Sequence, residues 1–137
     1  MKAAGVKNGV CFNQEVGNQA LTLRCNGFFQ GLGLTDPTKG KVLTGKIADP
    51  AGMQATIAAA IQSDPTIDGI LTLGPSVADP ALAAVPASGK PIHLATFSLS
   101  ASLLPAGKDG KMHFPVSQNP FLQRSPPLVI LPHSAAT

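Results

Sequence analysis

A chain of 137 residues is one ordinary domain in length, enough to bury a core and too short for a second domain. With 44% hydrophobic and 12% charged residues it is apolar for a soluble protein, yet Gly and Pro interrupt each apolar run before membrane-spanning length. The net charge of +3 comes from scattered lysines and the aromatics are all Phe, so a nucleic-acid footprint is absent and no nucleic acid is expected as a direct partner.

The opening MKAAGVKNGV lacks the apolar core and cleavage site of a secretory signal, so the chain as given is expected to stay in the cytoplasm. Five short apolar runs follow, at residues 8–12, 42–47, 67–73, 92–97 and 112–116. Each is closed by a turn or polar residue and is short enough for a buried parallel strand. Helical patterns alternate with them, which predicts an α/β fold.

Residues 17–32 place Leu21, Cys25, Phe28, Phe29 and Leu32 on one helical stripe that packs on the sheet. Arg24 stands about 100° around the helix from Cys25, free to remain solvated or to approach the sheet's edge. Cys11 and Cys25 have neither metal-ligand spacing nor a C-x-x-C arrangement, and both are expected to be buried packing thiols. The second helix opens at Asp49-Pro50, a capping residue followed by a proline whose missing N–H costs nothing there, and ends near Ser63-Asp64-Pro65. Its buried face is Met53, Ile57, Ala60 and Ile61.

A third helix is expected over residues 76–85, with Asp79-Pro80 inside it or at its start and Pro86 ending it. A fourth, over residues 100–106, is broken by Pro105 and the glycines that follow. Beyond Asn119-Pro120 the pattern fails, and Pro126, Pro127 and Pro132 make residues 123–137 irregular.

A parallel sheet binds ligands beyond the carboxyl ends of its strands. The residues there are Asn13, Gln14 and Glu15, then Asp49, then Gly74 to Ser76, then Ser98, then Gln118 and Asn119. Most are neutral hydrogen-bonding groups, which suit a polyol better than a phosphate. Gly31-Leu32-Gly33 follows a helix, so it reads as a C-cap and not as a phosphate loop. Gly74-Pro75-Ser76-Val77-Ala78 approaches the G-x-S-x-G elbow of serine hydrolases, but Pro75, Ala78 in place of the second glycine and the lack of an oxyanion loop favour a plain strand-to-helix turn. His93, His113 and His133 share no metal spacing and no paired carboxylates fall on adjacent strand ends, so neither a metal, a cofactor nor a catalytic residue is expected.

Four stretches in order, CFNQEVGNQALTLRCNGFFQGLG, DPTIDGILTLGPSVADPALAA, LATFSLS and FPVSQNPFLQ, resemble the ribose-binding-like periplasmic sugar-binding proteins of ABC transporters, specifically their C-terminal lobe. The resemblance runs from about residue 3 to residue 123. It implies a three-layer, flavodoxin-like or Rossmann-like lobe with a mostly parallel sheet of about five strands, a monosaccharide or polyol ligand, delivery to an ABC permease, and a periplasmic location. It also implies a domain over residues 1–123 without its N-terminal lobe, an irregular tail over 124–137, and exposed apolar surface through which the isolated lobe would self-associate with low thermal stability.

Position by position, Arg24 matches the helix arginine that hydrogen-bonds the sugar, and Gln118 matches the hinge-proximal glutamine. Gly74 lies where relatives often carry a contacting Asn, and Ser98 stands where they usually carry an aspartate that chelates two hydroxyls. Asn13 and Glu15 lie at the first strand's end as weaker candidates, with Asn13 lining the cleft beside Gly74. The implied function is solute binding for carbohydrate import, without enzymatic activity. The ligand-sensing lobe of a transcription regulator, which shares this fold, and a small serine hydrolase built on Ser76 are the competing readings.

Overall fold

The computed structural model describes residues 1–98, 100, 101, 103–109, 112 and 114–116. Five apolar runs become strands: β1 (Gly9–Asn13), β2 (Lys41–Thr44), β3 (Gly69–Thr72), β4 (His93–Phe97) and β5 (Phe114–Val116). They form one sheet in the order β2-β1-β3-β4-β5, with every pairing parallel. All carboxyl ends therefore share one edge, and the order reverses between β1 and β3, leaving a crevice at that point of the edge.

Alternation along the strands divides the core between the two faces. Val10, Phe12, Ile70 and Leu94 pack beneath Met53, Ile57 and Ile61 of α2 (Pro50–Ser63) and Val77, Ala81 and Ala84 of α3 (Pro75–Ala87). Cys11, Leu71, Leu73 and Ala95 meet Leu21, Cys25 and Phe29 of α1 (Gln19–Leu32) on the opposite face. The short α4 (Leu103–Lys108) adds Leu103 and Ala106 against Ala78 and Leu82 of α3. These are helices on both faces of a parallel sheet, the three-layer α/β lobe that the alternating pattern and the resemblance imply.

Local chemistry sets the helix ends. Asn18 Oδ1 accepts from the backbone N–H groups of Ala20 and Leu21, and Asp49 Oδ1 accepts from that of Gly52. Gly33, at φ 102°, closes α1 by donating to the carbonyls of Phe29 and Gln30, so the Gly31-Leu32-Gly33 run is the expected C-cap. Two helix boundaries differ from expectation. The third helix begins at Pro75 with Gly74 as its N-cap and runs through Pro86 to Ala87, enclosing Asp79-Pro80. Pro80 deprives the Ser76 carbonyl of its intrahelical donor, a loss that costs little where the residue is exposed to solvent, as Ser76 is. Pro105 does not break the fourth helix, because it falls in the first turn, where a missing N–H is harmless.

The cysteines also depart from expectation. Cys11 and Cys25 are joined in a disulfide, with Cα atoms 5.6 Å apart. Both lie in the core, at 0% and 2% exposure, so their burial is as anticipated and their state is not. Cys11 points to the face that α1 covers and Cys25 lies on the stripe of α1 that covers it, so the two sulfurs face each other.

At the amino-terminal edge, the Asp68 carboxylate accepts from the backbone N–H groups of Lys7 and Asn8, holding the entry to β1 against that to β3. Asp64 accepts from the Thr66 hydroxyl and from Asn8, and pairs with Lys41 across 3.5 Å. Among the described residues no helix is long and apolar enough to cross a membrane, and no group of three or more His, Cys, Asp or Glu could hold a metal ion. The expected tail over residues 124–137, together with His113 and His133, lies outside the described residues.

Two outcomes follow for stability. The bridge closes a loop with a sequence separation of 14, so Cys11→Ser/Cys25→Ser should lose about 3 kcal/mol in denaturant unfolding. The Asp64 carboxyl is held below its ordinary value chiefly by the Thr66 hydroxyl, then by the Thr66 backbone N–H. A lowered folded pKa means that this contribution is complete above the unfolded value of about 4 and is lost as the pH falls through the folded value. Melting temperature followed down through that range should fall, and Asp64→Asn should flatten the fall.

Candidate functional site

Much of the polar chemistry at the carboxyl edge is occupied in building it. Asn13 is 6% exposed, and its Oδ1 accepts from the Glu15 backbone N–H at 2.9 Å, turning the chain out of β1. Glu15 is exposed and accepts from the Asn18 amide at 2.8 Å, supporting the residue that caps α1. Asp49 is committed to the start of α2. The carbonyl oxygen of Asn13 thus has a structural role, which a strand-end position does not reveal.

At the reversal point, Gln14 follows β1 and Gly74 follows β3, and the two approach each other. A Cβ on Gly74 would lie 3.4 Å from Gln14 Nε2 and 4.0 Å from Ser76 Oγ. Gly74 has an extended backbone, φ −176°, so its bareness relieves no torsional strain. It leaves a methyl-sized space between the Gln14 amide and the first turn of α3.

Farther along the edge, Arg24 projects from α1 so that its guanidinium carbon lies 4.8 Å from the centroid of the Phe97 ring. A cation over an aromatic face gains about 0.5–1 kcal/mol where exposed and more where desolvated; Arg24 is half-buried. The side chain borders a cavity of about 330 Å³ whose walls include Phe28, Leu71, Phe97 and Val116. Met1 also lines it, and Phe28 packs over Gly9 at the amino end of β1, so the cavity runs along the α1 face of the sheet and is distinct from the crevice at the carboxyl edge. Of the two readings open for Arg24, a solvated helix residue or one approaching the sheet, the geometry is the second.

Ser98 follows Phe97 directly. Its φ of 67° is left-handed, an unusual conformation for a residue other than glycine, and its backbone N–H donates to the Val116 carbonyl at 2.8 Å. Asp and Asn adopt this conformation more readily than Ser, so the backbone here suits a carboxylate-bearing residue. The expected residues therefore fall into two groups on one edge: Asn13 and Gly74 at the reversal point, Arg24 and Ser98 around the end of β4. Gln118 and Asn119 lie outside the described residues.

The elbow-like run does not make a serine–histidine pair with His93. Ser76 stands in the exposed first turn of α3 at the carboxyl edge. His93 opens β4 beside Gly69 at the opposite edge, and the four steps from Gly69 to Leu73 span roughly 13 Å. No proton can pass directly between groups so far apart.

The family model described as "Periplasmic binding protein domain" matches residues 1–125. Among solved structures, a carbohydrate transporter from Acidothermus cellulolyticus in complex with myo-inositol is similar at a TM-score of 0.65 and 32% identity, over 81% of this chain and 37% of that one. An arabinose binding protein from Geobacillus stearothermophilus has a TM-score of 0.65 and 18% identity, over 81% of this chain and 39% of that one; it supports the fold alone. The chain thus spans well under half the length of either structure. No curated protein matches it.

Proposed function

The chain belongs to the periplasmic binding protein domain family, and from that premise we propose that it is a sugar- or polyol-binding lobe serving carbohydrate import through an ABC-type permease. The observation that carries this reading is the edge itself. Neutral hydrogen-bonding groups gather at the carboxyl ends of a parallel sheet, where its strand order reverses, with one arginine held over an aromatic ring beside them. Hydroxyls, which both donate and accept, match neutral amides and a serine. The similarity to a structure holding myo-inositol supports the same ligand class.

Arg24 and Ser98 are assigned to hydrogen-bonding the ligand around the end of β4, with Asn13 and Gly74 lining the cleft; Gln118 is assigned from the resemblance. Asn13 contributes its amide N–H₂, since its oxygen closes a turn. One lobe presents one wall of a cleft, so affinity measured on this chain should be weak. The Cys11–Cys25 bridge supports an oxidising compartment, in keeping with a periplasmic location.

Titration of myo-inositol, arabinose and other monosaccharides by NMR should perturb the amides around Arg24, Phe97 and Ser98 at millimolar concentration, and Arg24→Ala should abolish the response. No perturbation by any sugar, or a response unaltered in Arg24→Ala, would overturn the assignment. Ser98→Asp should strengthen binding by about 1–2 kcal/mol, because a carboxylate accepts stronger hydrogen bonds than a hydroxyl and the left-handed backbone already suits it. Unchanged or weaker affinity would place the ligand away from β4.

A further inference from the structure

Gln14 is the one residue among those described with a solvent-shielded side-chain polar atom, Oε1, that lacks a hydrogen-bond partner. An unmet buried acceptor costs about 1–3 kcal/mol, and folded chains keep few of them. Nothing in the packing of the sheet demands an amide here: Gln14 lies just beyond β1, outside both apolar faces. It stands at the reversal of strand order, and its Nε2 borders the space that Gly74 leaves empty.

We infer that Gln14 is a ligand-contacting residue whose amide binds a hydroxyl entering the space at Gly74. This inference rests on the sugar or polyol reading above and deepens it. The amide suits a hydroxyl, which both donates and accepts. Nε2 already faces the space and can donate to a hydroxyl there, and a half-turn about Cγ–Cδ presents Oε1 in its place as an acceptor, so the amide can meet the hydroxyl in either sense. Ser76 Oγ, 4.0 Å from where a Gly74 Cβ would stand, borders the same space with a second neutral group. A charged phosphate finds no cation among these groups, which restricts the preference to neutral hydroxyls. Gly74 thus acts by vacancy: its missing side chain admits the ligand to an amide supplied from β1.

The test uses Gln14→Met, similar in length and without hydrogen-bonding capacity, with myo-inositol and arabinose as probes. A residue kept for the fold and a residue kept for the ligand respond in opposite directions. The free lobe should be as stable as the unsubstituted chain, or more so, because an unmet acceptor has been removed, while affinity falls about 3- to 10-fold. Gly74→Ala, which the extended backbone tolerates, should close the space and weaken binding without lowering the melting temperature. Equal probe affinity in Gln14→Met and the unsubstituted chain, or a less stable free Gln14→Met lobe, would overturn the inference while leaving the sugar reading intact. Failure of the unsubstituted chain to bind either probe or any other monosaccharide would overturn both.

Discussion

Parallel strands cannot be joined by tight turns, and each connection must carry the chain back across a face of the sheet. That constraint governs the rest of this molecule. It places α1 on one face and α2 and α3 on the other, demands apolar residues in both strand registers, and brings every carboxyl end to a single edge. Because β2 lies on one side of β1 and β3 on the other, the connections diverge after β1 and open a crevice there. The amino-terminal edge, by contrast, is held together by the carboxylates of Asp64 and Asp68.

The carboxyl edge divides its polar groups between holding the backbone and facing outward. Asn13, Asn18 and Asp49 each accept backbone N–H bonds that end a strand or begin a helix. Removing any of them would disturb the supports of the site before it removed a contact from it. The Gln14 side chain has no such duty among the described residues, whereas the Gly74 carbonyl begins α3 by accepting from the Val77 and Ala78 N–H groups; their approach across the crevice leaves an unmet acceptor on Gln14 and room beside Gly74. Arg24 is held over the ring of Phe97 at the end of β4.

The disulfide belongs to this division as well. Cys11 is two residues before Asn13 on β1, and Cys25 is the residue after Arg24 on α1. The bridge therefore ties together two of the elements that carry polar residues toward the edge. Its location in the core couples the register of α1 on the sheet to the position of the arginine.

The alternation of short apolar runs with amphipathic stretches by itself determined the α/β class, the strand sequence and the residues at the carboxyl ends, because periodicities of 2 and 3.6 are local properties of the chain. The limits of α2 were equally legible, since Asp49-Pro50 and Asp64-Pro65 act on the nearest turn. The order β2-β1-β3-β4-β5 and the side-chain encounters were decided in three dimensions. A sulfur on β1 meets one on α1 only when the helix docks with its stripe down, so the C-x₁₃-C spacing did not distinguish a bridge from two thiols. Pro80 and Pro86 remained inside α3 because tertiary packing outweighed a local preference to break. Gln14 and Gly74 are 60 positions apart by number, and only pairing β1 with β3 brings the amide of one to the vacancy of the other.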